Sequence, residues 1–62
     1  MMFYISKKKF KPYKGYNITK VSIFDYLRHE TKVLYLLSEG QCIIGRFDTL
    51  FDARNFVNNV LV

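Results

Sequence analysis

The segment KKKFKPYKGY (residues 7–16) alternates lysines with aromatic side chains. Lysines neutralise phosphates and make binding to nucleic acid depend on salt, and aromatic rings can stack on unpaired bases. The pattern predicts a nucleic-acid contact through a lysine and tyrosine set: Lys7, Lys8, Lys9, Lys11, Tyr13, Lys14, Tyr16 and Lys20. The same charges also fit a solvated terminus that keeps the protein soluble, or a contact with an anionic membrane surface or an acidic protein patch.

The charge of the chain is uneven. Its net charge is +5, and six lysines precede the first acidic residue, Asp25. The remainder holds four basic residues against five acidic ones. This asymmetry predicts two parts: a basic arm or edge strand over residues 1–15, partly flexible, and a near-neutral β-β-β-α domain over residues 16–62.

The residue types used in catalysis are sparse. His29 lies in an expected turn, and Cys42 lies in an apolar strand, where a thiol behaves as a small hydrophobic group. The three glycines are too far apart to form a phosphate-binding loop. Asp48 and Asp52 are better explained by capping of a helix than as paired catalytic acids. We therefore expect no enzyme, no catalytic residue, no metal site and no cofactor.

The chain has no apolar run of the roughly 18–20 residues needed to cross a bilayer. The apolar opening MMFYIS is interrupted at once by lysines, which is too soon for a signal peptide. A single cysteine cannot form an internal disulfide. These features predict a soluble protein in the reducing cytoplasm.

The segment KVLYLLSEGQCIIGRF (residues 32–47) contains two β-rich runs separated by a turn. A two-residue loop at Glu39-Gly40 predicts a hairpin in which Leu37 pairs with Cys42, Leu36 with Ile43 and Tyr35 with Ile44. Residues 16–24 form a third β-rich run, joined to the hairpin by a turn around RHET. The alternative is a helix through residues 23–37, begun by a capping box of Ser22 and Asp25.

A helix is expected after the last strand, with Asp48 or Thr49 as its N-cap. Four apolar residues recur at helical spacing and form its inner face: Ala53, Phe56, Val57 and Val60. Gly45 is expected to let this helix approach the sheet closely. The predicted fold class is α+β, a three-stranded antiparallel sheet packed against one C-terminal helix. Residues 1–6 add a fourth strand or a lid as the alternative.

One helix covers one face of a sheet and leaves the other face open. The expected hairpin directs Leu34, Leu36, Ile43 and Phe47 toward the helix. The open face then carries a predicted protein interface: Tyr35, Leu37, Cys42 and Ile44. A slip of one residue in the pairing would exchange the two faces.

Residues 33–57 resemble the end of AP2-type domains and of the related arm-binding domains of tyrosine integrases. The resemblance rests on a hairpin followed by five positions: Gly45, Phe47, Asp48, Thr49 and Ala53. It implies a three-stranded sheet backed by one helix, with the sheet in the DNA major groove. Arg46 is the only residue on the expected open face suited to reading bases. The resemblance therefore implies the fold rather than this mode of DNA contact.

Two functions follow from these features. The first is a small accessory or regulatory protein without enzymatic activity, which binds nucleic acid through its N-terminal lysine and aromatic residues. The alternative is a protein-interaction module, either a homodimer or an inhibitor or adaptor that binds a host protein through the apolar sheet face. The lysine- and tyrosine-rich composition is similar in style to small proteins of phages and prophages.

Overall fold

The computed structural model describes residues 2–61 and contains a four-stranded antiparallel sheet followed by one helix. The strands lie side by side in chain order: β1 (Phe3–Lys9), β2 (Asn17–Asp25), β3 (Glu30–Glu39) and β4 (Cys42–Phe47). The helix α1 (Leu50–Phe56) continues into a π-helical turn, Val57–Leu61. The α+β class is confirmed, and the sheet has the fourth strand rather than a lid. Residue 1 of the expected strand and residue 62 of the expected domain lie outside the described residues.

Strands β2 and β3 are joined by a turn over residues 26–29. The Asp25 carboxylate accepts hydrogen bonds from the backbone N–H groups of Leu27 (3.0 Å) and Arg28 (3.3 Å). This bonding by an aspartate to the backbone two and three residues ahead is typical of a tight turn. His29 completes the turn with a φ of 54°. Strands on both sides of the turn confirm the strand prediction and exclude the alternative helix.

The β3–β4 hairpin is paired differently from the expectation. Glu39 pairs with Cys42 around the loop Gly40-Gln41, so the loop lies one residue later than predicted. Gly40 has a φ of 60°, a conformation that glycine adopts without strain. An irregularity at Leu37/Ser38 then inserts one extra residue into β4, a β-bulge. The predicted pairs Leu37–Cys42, Leu36–Ile43 and Tyr35–Ile44 are therefore wrong.

The bulge decides which sheet face the helix covers. Ile43 pairs with Ser38, whereas Phe47 pairs with Tyr35, so the bulge places Ile43 and Phe47 on opposite faces. The chain continues from Phe47 into α1, and the helix packs on the face that carries Tyr35 and Leu37. We call this the helix face. The prediction that Leu34, Leu36 and Ile43 face the helix is wrong, and only Phe47 of that group does.

The core lies between the helix and one end of the sheet. Four residues form it, each at most 1% exposed: Ile18, Leu37, Ala53 and Val57. Phe47 packs beside them with its ring centroid 5.4 Å from that of Phe56. An alanine Cβ at Gly45 would lie 3.1 Å from the Phe47 ring, so Gly45 makes room for this ring rather than for the helix.

Thr49 is the N-cap of helix α1, one of the two predicted N-cap residues. The Thr49 hydroxyl accepts a hydrogen bond from the backbone N–H of Asp52 (3.1 Å), an N-cap that typically contributes about 1 kcal/mol. Val60 is 62% exposed, contrary to the prediction, while Leu61 packs against the core. The π-helical turn has more residues per turn than an α-helix. It therefore directs Leu61, four residues after Val57, toward the sheet.

Candidate nucleic-acid interface

The face opposite the helix is the open face, and its polar side chains begin on β1. Successive side chains of a strand point to opposite faces. Lys7 pairs with Val21 and Lys9 with Thr19, so both lysines lie on the open face. Lys8 pairs with Lys20, and both lie on the helix face. The lysine run is therefore divided between the two faces by strand geometry.

The opposite flank of the open face is also basic. Arg46 of β4 pairs with Leu36, and Lys32 of β3 pairs with Ile23. One cross-strand row runs across all four strands: Lys9, Thr19, Leu36 and Arg46. Adjacent strands are about 4.8 Å apart, so the two ends of this row are separated by roughly 14 Å. The open face thus has a cation at each flank of the sheet.

The centre of the open face is apolar. Its middle consists of aliphatic side chains from three strands: Val21, Ile23, Leu34, Leu36 and Ile43. One groove on this face is lined by residues of both kinds: Lys7, Lys9, Thr19, Leu36, Ser38 and Ile43. The arrangement is an aliphatic strip between two basic flanks.

The charge of the open face changes sign along the strands. Asp25 and Glu30 pair with each other at the end that carries the β2–β3 turn. Within residues 2–61 the only ion pair is Arg28–Asp25, at 3.9 Å, also at that end. The four open-face cations (Lys7, Lys9, Lys32 and Arg46) therefore have no acidic partner in the described part of the chain and remain available to an anionic ligand.

Three other predicted nucleic-acid residues lie away from this face: Tyr13, Lys14 and Tyr16. Lys11 is exposed in the loop after β1. Lys14 donates a hydrogen bond through Nζ to Asn58 Oδ1 (2.6 Å). Tyr13 donates its hydroxyl proton to the same oxygen (3.1 Å), and its ring lies 5.5 Å from the guanidinium carbon of Arg54. Tyr13 and Tyr16 both pack against the core. The structure does not bring the eight predicted residues together on one surface, because the segment after β1 folds against the helix.

The predicted protein interface is also divided. Leu37 is fully buried, and Tyr35 packs against the core with its ring stacked on that of Phe10 at 6.3 Å. Cys42 is exposed, and Ile44 is 37% exposed. The prediction that the four residues share an open face is wrong, because it depended on a hairpin register that the bulge changes.

Sequence reasoning missed Lys32. It placed Arg46 on the open face, but the other residues that it predicted for that face are not those observed there. Successive side chains of a strand point to opposite faces, so the KKK run could have revealed that Lys7 and Lys9 share one face. Their grouping with Lys32 and Arg46 required the register of all four strands.

No known family model matches the chain, and no curated protein and no solved structure matches it significantly. In residues 2–61 no three His, Cys, Asp or Glu side chains are grouped closely enough to hold a metal ion. None of the helices in the same range has the length and apolar character required to span a bilayer.

Proposed function

We propose that this protein binds double-stranded nucleic acid through the open face of its sheet and acts as a small accessory or regulatory protein. The observation that carries the proposal is the cross-strand row from Lys9 to Arg46 on a face that the helix leaves uncovered. Lys7 and Lys32 extend the basic flanks. These cations contact phosphates, which supply most of the affinity in non-specific binding.

The dimensions of the open face suit a duplex. The basic flanks are roughly 14 Å apart across three strand spacings. The major groove of B-form DNA is about 12 Å wide and is bordered by two phosphate backbones. One flank contacts each backbone, and the aliphatic strip faces the groove, where thymine methyl groups offer apolar contacts.

A duplex is favoured over a single strand by the position of the aromatic rings. Binding of single strands relies on exposed rings on which bases stack. Phe10, Tyr13 and Tyr16 instead pack against the core on the other side of the sheet. Phe3 is an exposed ring on the open face, but it pairs with Asp25 at the acidic end, away from Lys9 and Arg46. The open face has aliphatic groups between its cations, so its contacts with nucleic acid are phosphate contacts and groove contacts.

Sequence preference is weak in this proposal. Three of the four open-face cations are lysines, which contact phosphates as point charges. Arg46 is the one guanidinium on the face and is the residue that can form two hydrogen bonds with guanine. The protein is therefore a mainly non-specific binder with four phosphate contacts, and any preference arises where Arg46 exchanges its phosphate contact for a guanine.

The test is a titration of a fluorescently labelled mixed-sequence DNA duplex at several salt concentrations. Four phosphate contacts give a slope of about −3.6 for log K against log salt. The affinity is then expected to fall roughly 150-fold between about 50 and about 200 mM salt. A matched single strand of the same length is expected to bind more weakly. Absence of duplex binding at the lowest salt contradicts the proposal.

A protein-interaction module remains the second candidate function. It is favoured by Ile43, which is 65% exposed on the open face of the edge strand β4. In that case the aliphatic strip contacts a protein partner, such as a host protein bound by an adaptor or inhibitor. Binding would then persist at high salt, because apolar contacts are not screened. The duplex titration separates the two functions, because a module of this kind is expected to show no salt-dependent binding to the duplex.

A further inference from the structure

Strand β1 is an edge strand with an unusual surface. All seven of its residues are exposed, and only β2 pairs with it within the described chain. Its first half is apolar (Phe3, Tyr4 and Ile5, each more than half exposed), and its second half is the three-lysine run. A long exposed edge is a template for pairing with another strand. Lysines on such an edge normally oppose that pairing.

The direction of the backbone groups identifies the free side of the edge. The Met2 carbonyl accepts a hydrogen bond from the N–H of Tyr26 (2.9 Å), and the Phe10 N–H donates to the carbonyl of Ile18 (3.0 Å). Even-numbered residues of β1 therefore direct their backbone groups toward β2. Since the direction alternates along an antiparallel strand, four residues direct theirs toward the free edge: Phe3, Ile5, Lys7 and Lys9.

A second copy of β1 can pair antiparallel with this edge only if odd residues oppose odd residues. When the two-fold axis passes through Ser6, Phe3 opposes Lys9 of the second copy and Ile5 opposes Lys7. All four outward residues then find partners, which gives about eight backbone hydrogen bonds. An axis at Lys7 or Lys8 places lysines directly opposite each other, which is destabilising. An axis at Tyr4 or Ile5 leaves Lys9 without a partner inside the strand.

We propose that the protein forms a symmetric dimer by antiparallel pairing of β1 with β1 of a second copy, with the two-fold axis at Ser6. This inference goes beyond the proposed function and does not depend on it. The lysines select the register, because Ser6 is the only axis that uses the whole strand and keeps lysines from opposing each other directly. The closed two-fold symmetry uses both free β1 edges, so this contact does not itself propagate into a fibre.

The charges of the two copies also complement each other in this register. Antiparallel pairing places the Asp25 and Glu30 end of one open face beside the Lys9 end of the other. On the helix face, Lys8 opposes Tyr4 of the second copy, which permits a cation–π contact. Residues directly opposite in a sheet share a face, so the two open faces form one continuous eight-stranded surface.

The test is a cysteine cross-link across the axis, made in a Cys42→Ser background so that the exposed native thiol cannot react. In the proposed dimer the two Ser6 positions form a non-hydrogen-bonded pair with Cα atoms about 4.5 Å apart. This separation is within the range of disulfides. The variant Ser6→Cys is therefore expected to yield, under mild oxidation, a species of twice the 7.4 kDa chain mass.

Tyr4→Cys is the matched control. Its two copies lie about four residues apart along the strands, at least roughly 13 Å, which is too far for a disulfide. Ser6→Cys is expected to cross-link at least about tenfold faster, because the dimer holds its thiols at high effective concentration. Equal cross-linking of the two variants, or none in either, overturns the proposal.

A second pair of variants tests the backbone bonds without cysteine chemistry. Ile5→Pro removes an outward N–H and leaves the β1–β2 bonds intact, since proline is tolerated on the solvent side of an edge strand. Ile5→Thr keeps the N–H and the β-branched shape. Sedimentation equilibrium is expected to show dimers for wild type and Ile5→Thr, and monomers for Ile5→Pro. A monomeric wild type contradicts the dimer, and a dimeric Ile5→Pro with unchanged circular dichroism contradicts its pairing through β1.

Salt separates this proposal from duplex binding. The backbone hydrogen bonds and apolar contacts of the dimer are little affected by screening, so the dimer is expected to persist in the salt range where duplex binding weakens. The monomeric Ile5→Pro variant also tests duplex binding by a single open face. Duplex binding by this monomer would support the proposed function independently of the dimer.

Discussion

Replacement of Leu37 by alanine is expected to lower the free energy of unfolding by about 2–5 kcal/mol. Leu37 is 0% exposed and packs with Ile18, Ala53 and Val57 between the sheet and the helix. A domain of this size rarely has more than about 3–5 kcal/mol of stability from its core. The variant is therefore expected to be largely unfolded at room temperature.

Leu36→Ala is the matched control, since it removes the same atoms from the neighbouring position on the open face. Leu36 is only half-buried and no helix covers it, so a cost of about 1 kcal/mol is expected. Urea denaturation followed by far-ultraviolet circular dichroism measures both values. A larger cost for Leu36→Ala than for Leu37→Ala would show that the helix covers the other face.

Removal of two open-face lysines is expected to weaken duplex binding strongly. In Lys7→Gln with Lys9→Gln, two phosphate contacts are lost, and the slope of log K against log salt changes from about −3.6 to about −1.8. The affinity at about 0.1 M salt is expected to fall by a factor on the order of 10 to 100. Fluorescence anisotropy with the labelled duplex measures both quantities.

The control removes the same charge from the other face. In Lys8→Gln with Lys20→Gln, the two neutralised residues lie on the helix face, opposite each other on β1 and β2. The slope is expected to remain near −3.6, and only a small long-range contribution of net charge is lost, less than about threefold in affinity. Equal losses in the two double variants would mean that the whole lysine segment contacts nucleic acid, regardless of the sheet face.

Local signals in the sequence predicted the elements well. The Thr49 cap, the glycine near the hairpin loop and the β-branched run of β2 each act within a few residues of the chain. Such features depend on hydrogen bonds and backbone conformations among neighbouring residues, so the residue types themselves indicate them. Strands β2, β3 and β4 and the helix were accordingly predicted, whereas β1 was predicted only as an alternative. The remaining errors concern how the elements are paired.

The assignment of the faces failed for a physical reason. The bulge in β4 adds one residue between Ile43 and Phe47, which reverses the alternation of side chains along the strand. Alternation alone therefore cannot place both residues on their correct faces. The open face predicted from the sequence is wrong for this reason. Gly45 borders this bulge, and an isolated glycine inside a strand often marks one, but it was interpreted as room for the helix.

The candidate site shows the same limit. Sequence reasoning found the lysines, because their number and position are visible in composition. Their division between Lys7 and Lys9 on one face and Lys8 on the other follows from strand geometry once β1 is known to be a strand. The pairing of this flank with Arg46 spans four strands, a long-range arrangement that no local pattern encodes.

The central claim is that nucleic acid lies on the open face. The most direct measurement is methyl NMR of the labelled protein during titration with a duplex at low salt. Methyl signals of Leu34, Leu36 and Ile43 are expected to shift. Val60 (62% exposed) and Leu27 (71% exposed) serve as exposed controls on the helix and at the far turn, and their signals are expected to stay in place. Shifts at Val60 without shifts on the open face would contradict the account.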